Sequence, residues 1–320
     1  MFRTESRGSD GPVAMLLPIP LRNALREERR NRDAAIEEER RASDERMRAN
    51  DRPSTARPLG TAPASAFANP ENAASIIAEF ERGVARRNRT RSHPVLRGAE
   101  LIRVAARIFT MRDKDYQKRE LEVLEKLRNM GAMRKVANPG FAPSQWLQSL
   151  SYLRHAHPHF GEVTDFVAGQ VALSIRSKRP LSIPPIHLWG APGLGKTHYA
   201  NDLADALGTP IRRQSKENAH TTALLLGTER HWSSATFGIV FDQIVLGSVA
   251  NPLFLVDELD KTPREVRYDP LSALHSLLEP LTAANARAAA MDIAYVASLA
   301  FYVATSNDPG RVPESVRSRL

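Results

Sequence analysis

Two short stretches of this sequence combine residue types and spacing suited to phosphate chemistry. Gly190-Ala191-Pro192-Gly193-Leu194-Gly195-Lys196-Thr197 fits the pattern G-x-x-x-x-G-K-[ST] in full. Its glycines permit a turn tight enough for successive backbone N–H groups to point inward at phosphate oxygens. A helix beginning where the loop ends adds its positive dipole end. Lys196 is then placed for the β- and γ-phosphates of ATP, and the Thr197 hydroxyl for Mg²⁺. The plain alternative is a glycine-rich structural turn. The flanks argue against it, because Ile186-His187-Leu188-Trp189 reads as a strand and Thr197 onward as a helix.

Further along, Leu253-Phe254-Leu255-Val256 reads as a buried strand that delivers Asp257 and Glu258 to its tip. Asp257 is expected to hold the Mg²⁺ shell, and Glu258 to orient and polarise the attacking water as a general base. An apolar run ending in Asp-Glu is weak alone and gains weight after a phosphate loop. Asp260 and Lys261 read equally as a helix cap with a solvated lysine or as catalytic groups. A third apolar run, Phe301-Tyr302-Val303-Ala304, ends in Thr305-Ser306-Asn307. The Asn307 amide either helps place the water near the γ-phosphate or is a turn residue. Arg317 and Arg319 are cations of the kind that neutralise charge developing in phosphoryl transfer, often from a neighbouring subunit.

Elements must exist to carry these groups. From about residue 156, apolar runs alternate with helical stretches: 186–189, 197–207, 253–256, 271–278 and 300–304. That pattern predicts an α/β P-loop fold, a three-layer parallel sheet covered by helices on both faces. Ligands of such sheets bind at the carboxyl ends of the strands. Residues 71–155 read as a helical N-terminal region. Ile76, Ile77, Phe80 and Val84 share one face, as do Leu101, Ile102, Ala105, Ile108 and Phe109. Leu121, Leu124 and Leu127 form a stripe before Gly131, and Trp146, Leu147, Leu150 and Leu153 form another. Asn138-Pro139-Gly140 reads as a turn. Residues 1–70 read as a disordered arm, with sign-balanced charge followed by a linker rich in Pro, Ala, Ser and Thr.

Composition sets outer bounds. The chain has 320 residues, a net charge of +9 and no cysteine. Disulfides and thiolate metal sites are therefore excluded. The positive charge suits nucleic acid, or else a basic tail or subunit face. Arg82, Arg86, Arg87, Arg89 and Arg91 pose the same choice. No apolar run approaches a membrane span, and the stretch 13–19 makes a poor signal peptide, so cytoplasmic residence is expected.

Taken together, these stretches resemble the AAA+ module of the Lon proteases, over roughly residues 115–320. The resemblance is carried by Asn251 to Lys261, by Asp269-Pro-Leu-Ser-Ala-Leu274 with Leu278-Glu-Pro280, and by Phe301 to Asn307. It implies residues 156–320 as the AAA+ core, with Asn307 as its first sensor. It implies Arg319 as the arginine finger, with Arg317 in reserve. Phe160 would pack near the adenine, and Trp232 would occupy the place of a pore-loop aromatic that grips unfolded polypeptide. The family has Tyr and an aliphatic residue there, where this chain has Trp232-Ser233. It also implies a homo-oligomeric ring, a hexamer in the family, so that a finger would come from the next subunit. The family's lid, peptidase and N-terminal substrate domains have no counterpart in these residues. Peptide cleavage by the chain alone is therefore not expected, and a separate peptidase is a candidate partner.

Three readings stand at this point. One is a Lon-like ATPase that moves an unfolded protein substrate in degradation or remodelling. Another is a nucleic-acid-directed AAA+ ATPase. A third is a scaffold that binds ATP without hydrolysing it.

Overall fold

The computed structural model describes residues 2–3, 70–82, 92–137, 143–214, 223–227, 236–261 and 272–320. Nearly all of the expected arm, Val84, the arginines from Arg86 to Arg91, the turn at 138–140, Trp232 and Asp269 lie outside them. The described residues belong to one compact unit.

The chain opens with a two-residue strand, β1 (Phe2–Arg3). Helices α1 (Pro70–Phe80), α2 (Gly98–Phe109) and α3 (Lys114–Met130) follow. Each has the predicted apolar stripe at helical spacing. Ile76 and Phe80 of α1, Leu101, Val104, Ala105 and Ile108 of α2, and Leu124 and Leu127 of α3 are buried. Asp113 starts α3, its carboxylate accepting from the N–H groups of Asp115 and Tyr116 at 3.0 Å each. Such a cap contributes about 1 kcal/mol. Gly131 ends the helix at φ 69°, a conformation that favours glycine. Within this helical stretch, β2 (Ser92–Pro94) and β3 (Met133–Lys135) pair antiparallel. At three residues each, neither is long enough to show a period of two.

Next come α4 (Pro143–Ala156), a 3₁₀ turn at Pro158–Phe160, and α5 (Gly161–Ser177). The remaining chain has the expected β4 (Ile186–Trp189), α6 (Lys196–Ala206) and β6 (Leu253–Val256), and adds β5 (Ile211–Gln214), α7 (Ala223–Leu226) and α8 (Ile239–Ile244) between the last two. It ends with α9 (Ser272–Leu277), α10 (Pro280–Ala283), the antiparallel hairpin β7 (Ala286–Ala288) and β8 (Ile293–Tyr295), β9 (Phe301–Ser306) and α11 (Glu314–Arg317).

The main sheet is parallel, in the order β1-β4-β9-β6-β5. Its side chains divide two cores by strict alternation. Leu253 and Leu255 of β6, with Phe301 and Val303 of β9, face α4, α5 and α6. Phe254 and Val256, with Tyr302 and Ala304, face the layer that contains α1, α2 and α3. This is the three-layer P-loop architecture expected from the sequence. Truncating Phe254, 1% exposed, to alanine would cost roughly 3–5 kcal/mol. Register then aligns the strand tips. Leu188 pairs with Thr305, Trp189 with Ser306, and Val256 with Ala304. The residues after β4, β6 and β9 therefore meet at one end of the sheet.

Candidate functional site

Backbone geometry builds the loop between β4 and α6. Gly193 and Gly195 adopt φ 82° and 79°, where a side chain is strained. A Cβ added at either would meet nothing within 4 Å, so both border open space. Helix α6 starts at Lys196, immediately after Gly195. The loop thus sets the start of α6 beside that space.

Lys196 closes back over the loop. Its ammonium donates to the carbonyls of Gly190 at 2.8 Å and Ala191 at 3.0 Å, and to Asn307 Oδ1 at 3.0 Å. Burial lowers its pKa from the ordinary value, opposed by the nearby carboxylates of Asp260 and Asp257. A cation held on neutral oxygens beside open space is poised to accept an anion.

One step along α6, the Thr197 hydroxyl lies 3.2 Å from both carboxylate oxygens of Asp257. Thr305 bridges this pair to the next residue. Its hydroxyl donates to Asp257 Oδ1 and accepts from the Glu258 backbone N–H at 2.9 Å. Glu258 sits at φ 58°, a left-handed conformation that costs a bulky residue roughly 1–2 kcal/mol. Its carboxylate forms an ion pair with Lys261 at 2.5 Å. Asp260 accepts from the Asp308 N–H at 3.3 Å, which ties the β6 and β9 ends together. Ser306, between Thr305 and Asn307, turns the other way, and its Oγ lies 2.9 Å from Nε2 of the buried His187.

Lys196, Thr197, Asp257 and Asn307 therefore form one connected cluster, and Glu258 joins it through Thr305. Arg317, Arg319 and Phe160 make their contacts with other residues. Arg317 pairs with Glu314, and Arg319 donates to the Ser315 carbonyl, so their bonds stay on α11 and its preceding turn. Phe160 is 1% exposed, with its ring 4.6 Å from Tyr199 and 4.3 Å from His159. His159 itself reaches the loop, with Nε2 2.8 Å from the Leu194 carbonyl.

Two participants were not singled out from the sequence. In the sequence Thr305 stands out only as part of a strand tip. Arg213, on β5, forms an ion pair with Asp257 Oδ2 at 2.6 Å. An alternating strand delivering a basic residue was its one available signal, and β5 is too short and polar to show it.

The cluster fits a nucleoside triphosphate with its magnesium ion. Two hydroxyls and a carboxylate offer oxygen ligands to a hard cation. The open glycine border and the lysine suit phosphates.

Parts of the chain are similar to known proteins. Residues 186–320 match the family model "ATPase family associated with various cellular activities (AAA)". The chain is 29% identical to a Lon protease of Brucella suis biovar 1 (strain 1330) over 214 residues, covering 62% of this chain and 26% of the relative. It is 33% identical to a Lon protease of Metamycoplasma arthritidis over 139 residues, covering 43% of this chain and 17% of the relative. Among solved structures, a Thermotoga maritima RuvB titled a Holliday junction branch migration motor aligns at 18% identity and a TM-score of 0.33. That alignment covers 50% of this chain and 42% of the other. The chain thus spans about a quarter or less of the curated Lon relatives' length, 26% and 17% in these two cases. Among the described residues, no helix is long and apolar enough to cross a membrane. Residues 186–320 are thus similar to the AAA family of ATPases, and the chain shares with the Lon proteases a stretch of 139 to 214 residues.

Proposed function

We propose that this chain binds ATP with Mg²⁺ in the cluster at the strand tips and hydrolyses it. The observation that carries this reading is the Lys196 ammonium held between the loop carbonyls and Asn307 at the border of an open glycine loop. Bound nucleotide supplies the phosphoryl group, and Mg²⁺ neutralises its charge. The loop from Gly190 to Gly195, through Ala191, Pro192, Gly193 and Leu194, wraps the phosphates. Lys196 exchanges its carbonyl partners for phosphate oxygens. Thr197 and Asp257 hold the metal or its water. Thr305 fixes the orientation of Asp257. Glu258, once released from Lys261, takes a proton from the attacking water, and Asn307 positions that water.

In the same reading the module works in a ring, where Arg319, with Arg317 as alternate, reaches the phosphates of the neighbouring subunit's site. Phe160 forms the floor beneath the adenine region. Trp232 contacts a moving polypeptide in the ring's pore. The ring converts hydrolysis into unfolding or translocation of a protein, in degradation or remodelling. Peptide-bond cleavage is not part of the activity proposed for these residues.

The test is steady-state ATP hydrolysis by the purified chain, by Lys196→Ala and by Glu258→Gln, with and without an unfolded protein. Expected are turnover abolished by both substitutions, nucleotide binding kept by Glu258→Gln, and stimulation by the unfolded protein. Stimulation by DNA, with binding that falls steeply with salt, would redirect the proposal to a nucleic-acid substrate. ATP binding without turnover would leave a scaffold, with Glu258 and Asp257 held by Lys261 and Arg213.

A further inference from the structure

Behind the phosphate loop, on the outer face of α6, three side chains from two elements converge. His157 precedes the 3₁₀ turn. His198 and Asp202 lie one helical turn apart on α6, an i,i+4 pair on one face. His157 Nε2 lies 2.8 Å and His198 Nδ1 3.0 Å from the same oxygen, Asp202 Oδ2. All three potential ligand atoms lie within 4.8 Å of one another.

We propose that His157, His198 and Asp202 form a binding site for an imidazole-preferring divalent transition metal ion, with Zn²⁺ as the reference ligand. Metal–ligand bonds near 2.1 Å in a tetrahedron put neighbouring ligand atoms about 3.4 Å apart. The two nitrogen–oxygen separations, 2.8 and 3.0 Å, need to open by only a few tenths of an ångström. Two imidazoles and one carboxylate select such an ion over Mg²⁺ or Ca²⁺, which prefer all-oxygen shells. Each imidazole would bind through its facing ring nitrogen with its N–H on the other nitrogen, the tautomer opposite to one that donates to Asp202, and water would complete the coordination.

Burial preorganises the site. The His157 side chain is 10% exposed and that of Asp202 25%, whereas His198, at 66%, leaves a route for the ion. Tyr199 meets the His157 ring edge-on at 5.5 Å and backs the site with an apolar wall. The ion would tie the turn at 158–160 to α6. That helix begins at Lys196 and Thr197, and the turn already touches the loop through His159 and the Leu194 carbonyl. A link between this clamp and nucleotide rests on the function proposed above. Metal binding does not.

The test uses the full, tag-free chain without nucleotide, titrated with Zn²⁺ by calorimetry and with Co²⁺ by visible absorption. Expected are one Zn²⁺ per chain, tetrahedral Co²⁺ bands, and a thermal midpoint raised by Zn²⁺. His198→Ala, at an exposed position, and Asp202→Asn should each weaken binding by at least about tenfold. His198→Cys should restore much of it, and Lys196→Ala should leave it unchanged. Binding that survives His198→Ala and Asp202→Asn would overturn the proposal. So would binding lost in Asp257→Asn instead, or a wild-type chain that takes up no Zn²⁺. Because no nucleotide is present, a negative ATPase result leaves this outcome readable on its own.

Discussion

Two charged clusters in this molecule use the same residue types to different ends. At the strand tips, Lys196, Arg213 and Lys261 pair with carbonyls, an amide and the carboxylates of Asp257 and Glu258 beside open space. Between α2, α3 and the β7–β8 hairpin, Arg107 pairs with Glu120 at 2.8 Å and donates to the Met291 carbonyl. Arg103 there joins Glu100 and Asp292, and Glu100 also accepts from the Ala294 N–H at 2.9 Å. Salt bridges and hydrogen bonds lower the pKa values of Glu100 and Asp292 against the opposing effect of burial. The second cluster is bonded among its own elements and fastens the hairpin to the helices. The first is held together by bonds that a phosphate or a metal ion could replace. Pairing alone therefore does not mark a structural role. What matters is whether a better partner has room to enter.

The sharpest way to break this contrast is to substitute across it. Glu258→Gln should lower kcat for ATP by about 10²–10⁴-fold with little change in thermal midpoint. An equal loss of stability would make the strand-tip cluster structural as well. Arg107→Ala, in the other cluster, should destabilise the fold by roughly 3 kcal/mol in denaturant titration, because it removes the ion-pair partner of a buried Glu120 carboxylate. Activity per folded molecule should remain.

Beneath the strand tips, His187 supplies a pH-dependent test. Burial, first of all, pushes its pKa from the ordinary 6.5 to about 4, with Arg317 adding to the shift and Asp260 opposing it. The unfolded chain takes up this proton below pH 6.5, and the folded chain only near 4. The stability contributed by a neutral His187 is therefore complete above about pH 6.5 and drains away between 6.5 and 4, by up to about 3 kcal/mol. Equilibrium unfolding at stepped pH should show that slope, and His187→Asn should flatten it.

Thr305→Val removes the donor to Asp257 and the acceptor for the Glu258 N–H, which should cost about 1–3 kcal/mol and reduce turnover together. That joint effect would show where the two roles overlap. The smallest effect is expected for Arg213→Ala. Its side chain is 56% exposed, so stability should stay within about 0.5 kcal/mol. The magnesium requirement of hydrolysis should fall a few-fold, because Asp257 no longer leaves a cation to bind another.

Legibility in the sequence followed chemistry and chain contiguity. The loop from Gly190 to Thr197 could be read because its geometry demands particular residue types in an unbroken order. The apolar runs of β4, β6 and β9 announced a buried parallel sheet, and their alternation between two cores appears once the strands are paired. Alanine carries little periodic signal, so the Ala-rich stretch from Ala283 to Ala290 concealed the β7–β8 hairpin. There, Ala286 opposes Tyr295 and Ala288 opposes Ile293, and the larger partners fill the space. Arg213 stayed hidden on a polar strand at one edge of the described sheet. The pairing of His157 with Asp202 depends on how α4 and α6 pack, which no local pattern reports.

Strand β9 and the residue after it touch three different parts of the site through consecutive side chains. Thr305 meets Asp257, Ser306 meets His187, and Asn307 meets Lys196. A single residue gained or lost inside β9 would advance all three by one station and exchange the two faces of the sheet. An insertion would bring Thr305 to His187 and leave Ala304 opposite Asp257, whereas a deletion would bring Asn307 to His187 and Ser306 to Asp257. Many conservative substitutions within β9 are compatible with this arrangement, but no change in the strand's length is.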